Sequence, residues 1–125
     1  MTKSSPQALQ IARTYVEAMS RKDVDAMMSL SSDDVVCTSP LGQIAGIERF
    51  RGFQDGFARM TKTLSVLAVH GDDDQAVVVY EVETHPVPLA RVAEFIKVRN
   101  GKLASTDVIY DGTPFAEFVK TVQGH

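Results

Sequence analysis

Residues 89–99 constrain the fold more than any other stretch, because they alternate between two chemical classes. Alternate residues of a β-strand share one face of the sheet. In this stretch, one face carries an acid among three β-branched residues, Val92, Glu94, Ile96 and Val98, and the opposite face carries the basic residues. The pattern predicts a long strand that turns a carboxylate toward an apolar interior.

Glu94 is the first candidate catalytic residue. A carboxylate among apolar side chains loses hydration, which favours the neutral form and raises the pKa. An acid or base that works near neutral pH needs such a shift. The alternative is a structural ion pair, for which four arginines on predicted helices are candidate partners: Arg13, Arg49, Arg51 and Arg59.

Composition indicates one globular domain over residues 1–125. Hydrophobic residues make up 44% of the chain and charged residues 23%, which is enough apolar material for a core. The formal net charge is −3, and the basic residues are spread along the chain. We therefore expect neither nucleic acid nor an anionic membrane as a partner.

Residue types that bind metals or form disulfides are sparse. Cys37 is the single cysteine and lies in an apolar run, so we expect a small buried side chain. His70, His85 and the acids at 72–74 lack the spacing of a metal site, so no metal and no cofactor is expected. The polar start and the absence of a long apolar run predict a cytoplasmic protein without a membrane span.

Three helices are predicted in the first half of the chain. Ser-Ser-Pro at residues 4–6 is typical of a helix start, and the helix should end near residues 21–22. Asp23 is expected to cap a short second helix. A third helix should begin near Gly46, because aromatic residues then recur at helical spacing: Phe50, Phe53, Phe57.

The remainder of the chain is mostly strand. Residues 32–34 are expected to break the second helix, and residues 39–42 and 71–74 are expected to form turns. Asn100-Gly101 is a hairpin signal. The predicted strands are residues 35–38, 63–70, 75–84, 89–99 and 102–110, and a last amphipathic helix should follow, with Phe115, Phe118, Val119 and Val122 on one side.

Three helices followed by an antiparallel meander indicate an α+β fold. A sheet of this size must curl around the helices to be covered. Its outer face is also apolar, with Val77, Val79, Leu103 and Ile109 opposite the inward residues. We therefore expect a homodimer through the outer sheet face.

Several local phrases, taken in order, resemble the nuclear transport factor 2-like superfamily, which includes ketosteroid isomerases, limonene-epoxide hydrolases and SnoaL-like polyketide cyclases. The phrases are A-R-T-Y-V-E-A at 12–18, D-V-D-A-M-M-S-L at 23–30, G-I-E-R-F at 46–50 and F-I-K-V-R-N-G-K-L at 95–103, with V-I-Y-D at 108–111. The resemblance implies a cone-shaped, strongly curved, mostly antiparallel sheet around the N-terminal helices (a cystatin-like α+β barrel). It also implies an apolar pocket for a small hydrophobic ligand or substrate.

The resemblance to ketosteroid isomerases extends to some of their catalytic residues. Tyr15 matches their oxyanion-donating tyrosine on the first helix. Ser39 stands where they have the general base, and serine does not move protons at neutral pH without a base beside it. Glu94 matches their second acid if the following hairpin differs by one residue. Steroid isomerase activity is therefore not expected.

Limonene-epoxide hydrolases use an Asp-Arg-Asp arrangement that this chain lacks. The corresponding positions are near Tyr80, Val82 and Val108. Asp107 is adjacent to the last of these, but a shift of one residue turns a strand side chain to the opposite face.

The candidate catalytic residues are therefore Glu94 and Tyr15, with the oxyanion held by Tyr15 or Tyr80. The candidate ligand-binding residues are Ser39, Phe50, Phe53, Phe57, Tyr80, Val82, Thr106, Val108 and Tyr110. The leading hypothesis is cofactor-independent acid–base chemistry of the isomerase, cyclase or hydrolase type. The alternatives are a non-catalytic binder of a hydrophobic ligand and a dimeric protein-interaction module whose pocket is filled by Phe50, Phe53 and Phe57.

Overall fold

The computed structural model describes residues 6–117, and within that range three helices precede or interrupt a six-stranded sheet. The elements in chain order are α1 Gln7–Ser20, α2 Val24–Ser29, β1 Ser31–Ser39, β2 Gly42–Ala45, α3 Ile47–Met60, β3 Thr61–Gly71, β4 Gln75–Thr84, β5 Ala90–Arg99 and β6 Lys102–Ile109. Residues 113–117 are helical as well. The predicted seam continues through Phe118, Val119 and Val122, which lie outside the described residues.

The sheet has the strand order β2-β1-β6-β5-β4-β3. Every neighbouring pair is antiparallel except β1 and β6, which are parallel. The prediction of an α+β fold with a mostly antiparallel sheet is confirmed. Because β5 lies between β4 and β6, Glu94 occupies a central strand and not an edge.

The N-terminal helices cover the inner face of the sheet. Helix α1 packs across β3, β4, β5 and β6, while α3 packs against β1 and β2. The buried side of α1 carries the predicted stripe: Ala8, Ile11, Ala12, Tyr15 and Met19. These residues join the inward side chains of the strands in one core, which places Tyr15 opposite the middle of β5.

The ends of the first two helices differ in how they are capped. Pro6 is the N-cap residue of α1, and the predicted serine cap at residues 4–5 lies outside the described residues. Asp23 caps α2 as predicted, because its side chain accepts a hydrogen bond from the Ala26 N–H at 3.1 Å. Within residues 6–117, no helix has the length and apolar character that crossing a membrane requires.

The first strand is longer than its sequence suggests. Residues 32–34 were expected to break the second helix ahead of a strand over residues 35–38, but α2 already ends at Ser29 and residues 32–34 belong to β1. The pairing of β1 with β6 shifts register between Ser31 and Val36, and this irregularity leaves Asp33 and Asp34 exposed. The short strand β2 was not predicted, because its four residues carry little alternation.

Leu103 does not lie on the outer face, contrary to the sequence-based expectation. It is fully buried in the core. The pairing of β5 with β6 changes from Lys97–Ser105 to Val98–Leu103, so β6 contains one extra residue at that point. Such a bulge reverses the alternation of side chains beyond it, which turns Leu103 inward.

Candidate functional site

Glu94 lies in the middle of the inner sheet face. Its register partners are Val78 on β4 and Val108 on β6, and its inward neighbours on β5 are Val92 and Ile96. The side chain is 1% exposed. The alternation on β5 thus places this acid in an apolar environment, where an uncompensated charge would be strongly unfavourable.

Three hydroxyl groups surround the Glu94 carboxyl group. The Tyr15 and Thr106 hydroxyls each donate a hydrogen bond to Oε1 at 2.8 Å. The Tyr80 hydroxyl donates to Oε2 at 2.6 Å. A carboxylate oxygen has two lone pairs, so Oε1 is saturated while Oε2 keeps the capacity for one more partner. The two oxygens therefore differ in what they can do.

Gln54 extends this cluster and was not predicted from the sequence. Its Nε2 donates a hydrogen bond to the Tyr15 hydroxyl at 3.2 Å, and the residue is 2% exposed. Gln54 lies four residues after Phe50 and three before Phe57, so it shares their helical face. Its position as a polar residue within that aromatic stripe is the sequence signal that could have identified it.

Burial raises the pKa of Glu94 above its ordinary value, while the three hydrogen bonds oppose that rise by favouring the ionised form. The same burial, together with the adjacent carboxylate, raises the pKa values of Tyr15 and Tyr80 well above the usual value for tyrosine. Both phenols are therefore neutral donors near pH 7. Of these three groups, Glu94 is the one whose pKa is shifted in the direction of pH 7.

The ion-pair alternative for Glu94 is not what the structure contains. Within the described part of the chain, the recorded ion pairs join arginines to other acids, including Arg51 to Asp25 and Arg91 to Glu81. The hydrogen-bond partners of Glu94 are hydroxyl groups instead. Its carboxyl group is thus stabilised by neutral donors. Because these donors carry no positive charge, they do not hold the group permanently in its ionised form.

A cavity of about 340 Å³ has Glu94 in its wall. Tyr80, which binds Oε2, lines it, whereas Tyr15 and Thr106, which bind Oε1, do not. The remaining wall is mainly apolar and aromatic, and its members are Leu41, Gly52, Phe53, Gln54, Gly56, Phe57, Met60, Val82, Val92, Val108, Tyr110 and Phe115.

The cavity wall includes residues of the β1–β2 turn and residues that follow β6. Leu41 in that turn is 54% exposed. The Tyr110 and Phe115 rings meet edge to face, with centroids 5.4 Å apart. Burial raises the pKa of the Tyr110 hydroxyl. An apolar side chain that is both exposed and part of a cavity wall is suited to contact with a bound molecule.

The structure divides the residues singled out from the sequence into three groups. Those on the cavity wall are Phe53, Phe57, Tyr80, Val82, Glu94, Val108 and Tyr110. Tyr15 and Thr106 lie behind Glu94 and bind it from the core side. Ser39 and Phe50 are not part of the wall.

The positions of Ser39 and Phe50 have local causes. The Ser39 hydroxyl accepts a hydrogen bond from the Leu41 N–H at 3.2 Å and contacts the Gly42 carbonyl at 3.4 Å, so it is used in the turn. Phe50 lies in the first part of α3 and is fully buried in the core. The aromatic residues of α3 thus do not fill the cavity.

Residues that the sequence analysis did not single out complete the wall. Leu41, Gly52, Gly56, Met60 and Phe115 lie on a turn, on α3 and on the last helical segment. No group of three or more potential metal ligands occurs in residues 6–117.

Comparison with known proteins assigns the family. Residues 12–106 match the family of SnoaL-like domains. The chain therefore belongs to the SnoaL-like family of the NTF2-like superfamily, which confirms the resemblance inferred from the sequence. No match was found among curated proteins.

Solved structures resemble the chain over nearly its full length. A protein from Kribbella flavida is 34% identical, with coverage of 95% of this chain and 98% of its own and a TM-score of 0.85. An NTF2-like protein of unknown function from Mesorhizobium loti is 15% identical, with coverage of 90% and 97% and a TM-score of 0.78. A protein named as a candidate polyketide cyclase from Xanthomonas campestris is 18% identical, with coverage of 87% and 93% and a TM-score of 0.71. The last two likenesses concern the fold alone.

Proposed function

We propose that this protein is an enzyme that transfers protons, without a cofactor, on a small uncharged hydrophobic substrate. The observation that carries the proposal is the asymmetry of Glu94: Oε1 is saturated by two hydroxyls, while Oε2 has one open position and its partner Tyr80 lines the cavity. A general base needs an oxygen within reach of the substrate proton, and Oε2 is that oxygen.

In the proposed step, an X–H bond of the substrate breaks and an O–H bond forms at Glu94 Oε2. The electron pair stays on the substrate, where it is delocalised. Once Oε2 carries the proton, it is a weaker acceptor, and the Tyr80 hydroxyl turns from Oε2 to the developing anion. Return of the proton to another substrate atom restores Glu94, so no oxidant or reductant is required.

Tyr15 and Thr106 act as positioning residues in this proposal. Their hydroxyls hold Oε1, and neither residue lines the cavity. They fix the plane of the carboxyl group and limit how far burial raises its pKa. The oxyanion-holding role is therefore proposed for Tyr80 rather than Tyr15.

Membership of the SnoaL-like family supports an isomerase or cyclase type of reaction. The structural neighbour named as a candidate polyketide cyclase is compatible with the same chemistry. Cyclisation by an aldol step and isomerisation by proton shift both begin with removal of a proton from a carbon acid.

Deuterium exchange into carbon acids tests the proposal. 2-Tetralone and 2-indanone are small, uncharged, and acidic beside the carbonyl group, and exchange in D2O is followed by NMR. We expect the protein to accelerate exchange over buffer and Glu94→Gln to lower the rate by about 100-fold or more. Glu83→Gln, on the same sheet but outside the cavity wall, is the matched control and should keep the full rate.

The result that contradicts the proposal is exchange that Glu94→Gln leaves unchanged. Ketones that bind and raise the melting temperature without any exchange above buffer would instead favour the non-catalytic binder. The loss in Glu94→Gln should appear in the rate and not in ketone affinity, because the amide keeps the size of the side chain.

We also propose that two copies of the chain associate through the outer sheet face. Val77 is 40% exposed and Ile109 56% exposed on this face. Charges of both signs flank them, with Lys97 on β5 and Asp107 on β6. A two-fold contact lets the cation of one copy face the acid of the other. Sedimentation should give a dimer that Ile109→Lys converts to a monomer, whereas a monomeric parent protein would contradict the proposal.

A further inference from the structure

The electrostatics of the cavity favour an uncharged ligand. Among the described residues of its wall, none is Lys, Arg or His, and the inner end holds the Glu94 carboxyl group. Arg59 approaches one residue of the wall, because its Nη2 lies 3.8 Å from where a Cβ on Gly56 would be. An anionic group at the inner end would meet Glu94 in a site of low polarity.

The hydrogen-bonding capacity left at the inner end is mainly that of acceptors. The hydroxyl protons of Tyr15, Tyr80 and Thr106 are all directed at Glu94. Oε2 of Glu94 retains one acceptor position. Gln54 has one recorded hydrogen bond in the described part of the chain, through Nε2, so its Oε1 is a second acceptor on the cavity wall.

Donors at the same place are few. One N–H of Gln54 remains once Nε2 has bound Tyr15. A buried acceptor without a partner is unfavourable, so the molecule that fits this end brings its own donor.

Two glycines in α3 shape the other side of the cavity. Gly52 and Gly56 lie inside the helix, where glycine is less favourable than alanine. Neither is required by packing, since a Cβ on Gly52 would meet nothing within 4 Å and one on Gly56 would meet only the end of Arg59. Both line the cavity beside the Phe53 and Phe57 rings. The missing side chains leave room for a ring to lie against the backbone of α3 at these two positions.

Taken with the proposed function, on which this inference rests for the role of the site, these features define a ligand class. We propose that the cavity binds an uncharged ring compound that carries an O–H or N–H donor. The donor binds Gln54 Oε1, which leaves the open position of Glu94 Oε2 for the substrate proton. The ring lies against Gly52 and Gly56, beside the aromatic side chains of α3.

Indole and benzofuran test the donor requirement, because they have nearly the same shape and differ in the N–H group. The chain contains no tryptophan, so indole fluorescence reports binding directly, and calorimetry measures both compounds. We expect indole to bind about tenfold more tightly or better, because benzofuran would cover the Gln54 side-chain oxygen without giving it a hydrogen-bond donor. Equal affinities, or tighter binding of benzofuran, would overturn the proposal.

Gly56→Ala tests the ring surface. The added methyl group should raise the melting temperature by a few degrees through helix propensity and weaken indole binding by about fivefold or more. Asp55→Ala is the matched control, because it also improves helix propensity but lies outside the cavity wall and should leave indole affinity unchanged. Unchanged affinity in Gly56→Ala, with the protein folded, would refute the placement of the ring.

Both measurements report binding and involve no turnover. Loss of the indole preference therefore contradicts the ligand class alone. Failure of the proposed function appears separately, as deuterium exchange that does not depend on Glu94.

Discussion

Glu94→Gln should change how the stability of the protein depends on pH. Burial raises the pKa of Glu94 from an ordinary value of 4.5, which is close to its value in the unfolded chain. Between 4.5 and the raised pKa, the folded protein holds a proton on Glu94 that the unfolded chain has released. The stabilisation from this proton is complete below pH 4.5 and is lost as pH rises through the folded-state pKa. Glutamine does not titrate and lacks this dependence.

The magnitude follows from proton linkage. While folded Glu94 keeps a proton that the unfolded chain lacks, the free energy of unfolding of the parent protein falls by about 1.4 kcal/mol per pH unit relative to Glu94→Gln. The difference levels off once folded Glu94 has ionised. The other acids titrate alike in both proteins and cancel. Tyr15 and Tyr80 do not contribute, because their pKa values lie well above this range.

Urea denaturation of both proteins at half-unit steps from pH 4 to pH 8 measures the effect. The altered hydrogen bonds of the amide change the stability of the variant by an amount that does not depend on pH. The test is therefore the slope against pH of the difference in free energy of unfolding between the two proteins. A difference that stays constant over this range would show that burial does not shift the Glu94 pKa. If the parent protein instead gained stability relative to Glu94→Gln as pH rises, the Glu94 pKa would be lowered. Either result refutes the reasoning.

Three further predictions concern the surroundings of the site. Thr106→Val removes a hydrogen bond that favours the ionised form of Glu94, so it should raise the Glu94 pKa further. NMR titration of the carboxyl carbon measures this, and an unchanged pKa would contradict it. Gly71→Ala should lower the free energy of unfolding by about 1–3 kcal/mol, because its Cβ would lie 2.6 Å from the Ala76 Cβ; unchanged urea stability would refute it. Burial raises the Cys37 pKa to about 12. Iodoacetamide at pH 8 should therefore modify the thiol in urea but not in the folded protein. Rapid modification of the folded protein would show that the thiol is not buried.

The sequence predicted the framework well where patterns are periodic. The alternation in β5 placed Glu94 on the inner face, and helical spacing placed Tyr15 on the buried side of α1. The acid and the first helix meet because β5 is central and α1 crosses the sheet. Local periodicity thus predicts which face of an element carries a side chain, and the fold determines which other residues that face contacts.

What the sequence did not predict depends on irregularities that periodicity does not encode. The bulge at the start of β6 turned Leu103 into the core, and the shift in β1 kept residues 32–34 in a strand. The placement of Ser39 depended on its hydroxyl binding the backbone of its own turn. Gln54 was not predicted because a single polar residue does not change the apolar pattern of the helix face on which it lies.

Three features of this chain that oppose stability lie around one cavity. A buried carboxyl group is unfavourable even with three hydroxyl partners, and Gly52 and Gly56 weaken the interior of α3. Leu41 leaves half of its surface exposed beside the same cavity. On α1 and β4, by contrast, the sequence pattern and the packing agree, with an apolar stripe on the helix and alternation along the strand. When several residues that lower stability lie together at one cavity, a binding or catalytic role for that cavity accounts for all of them.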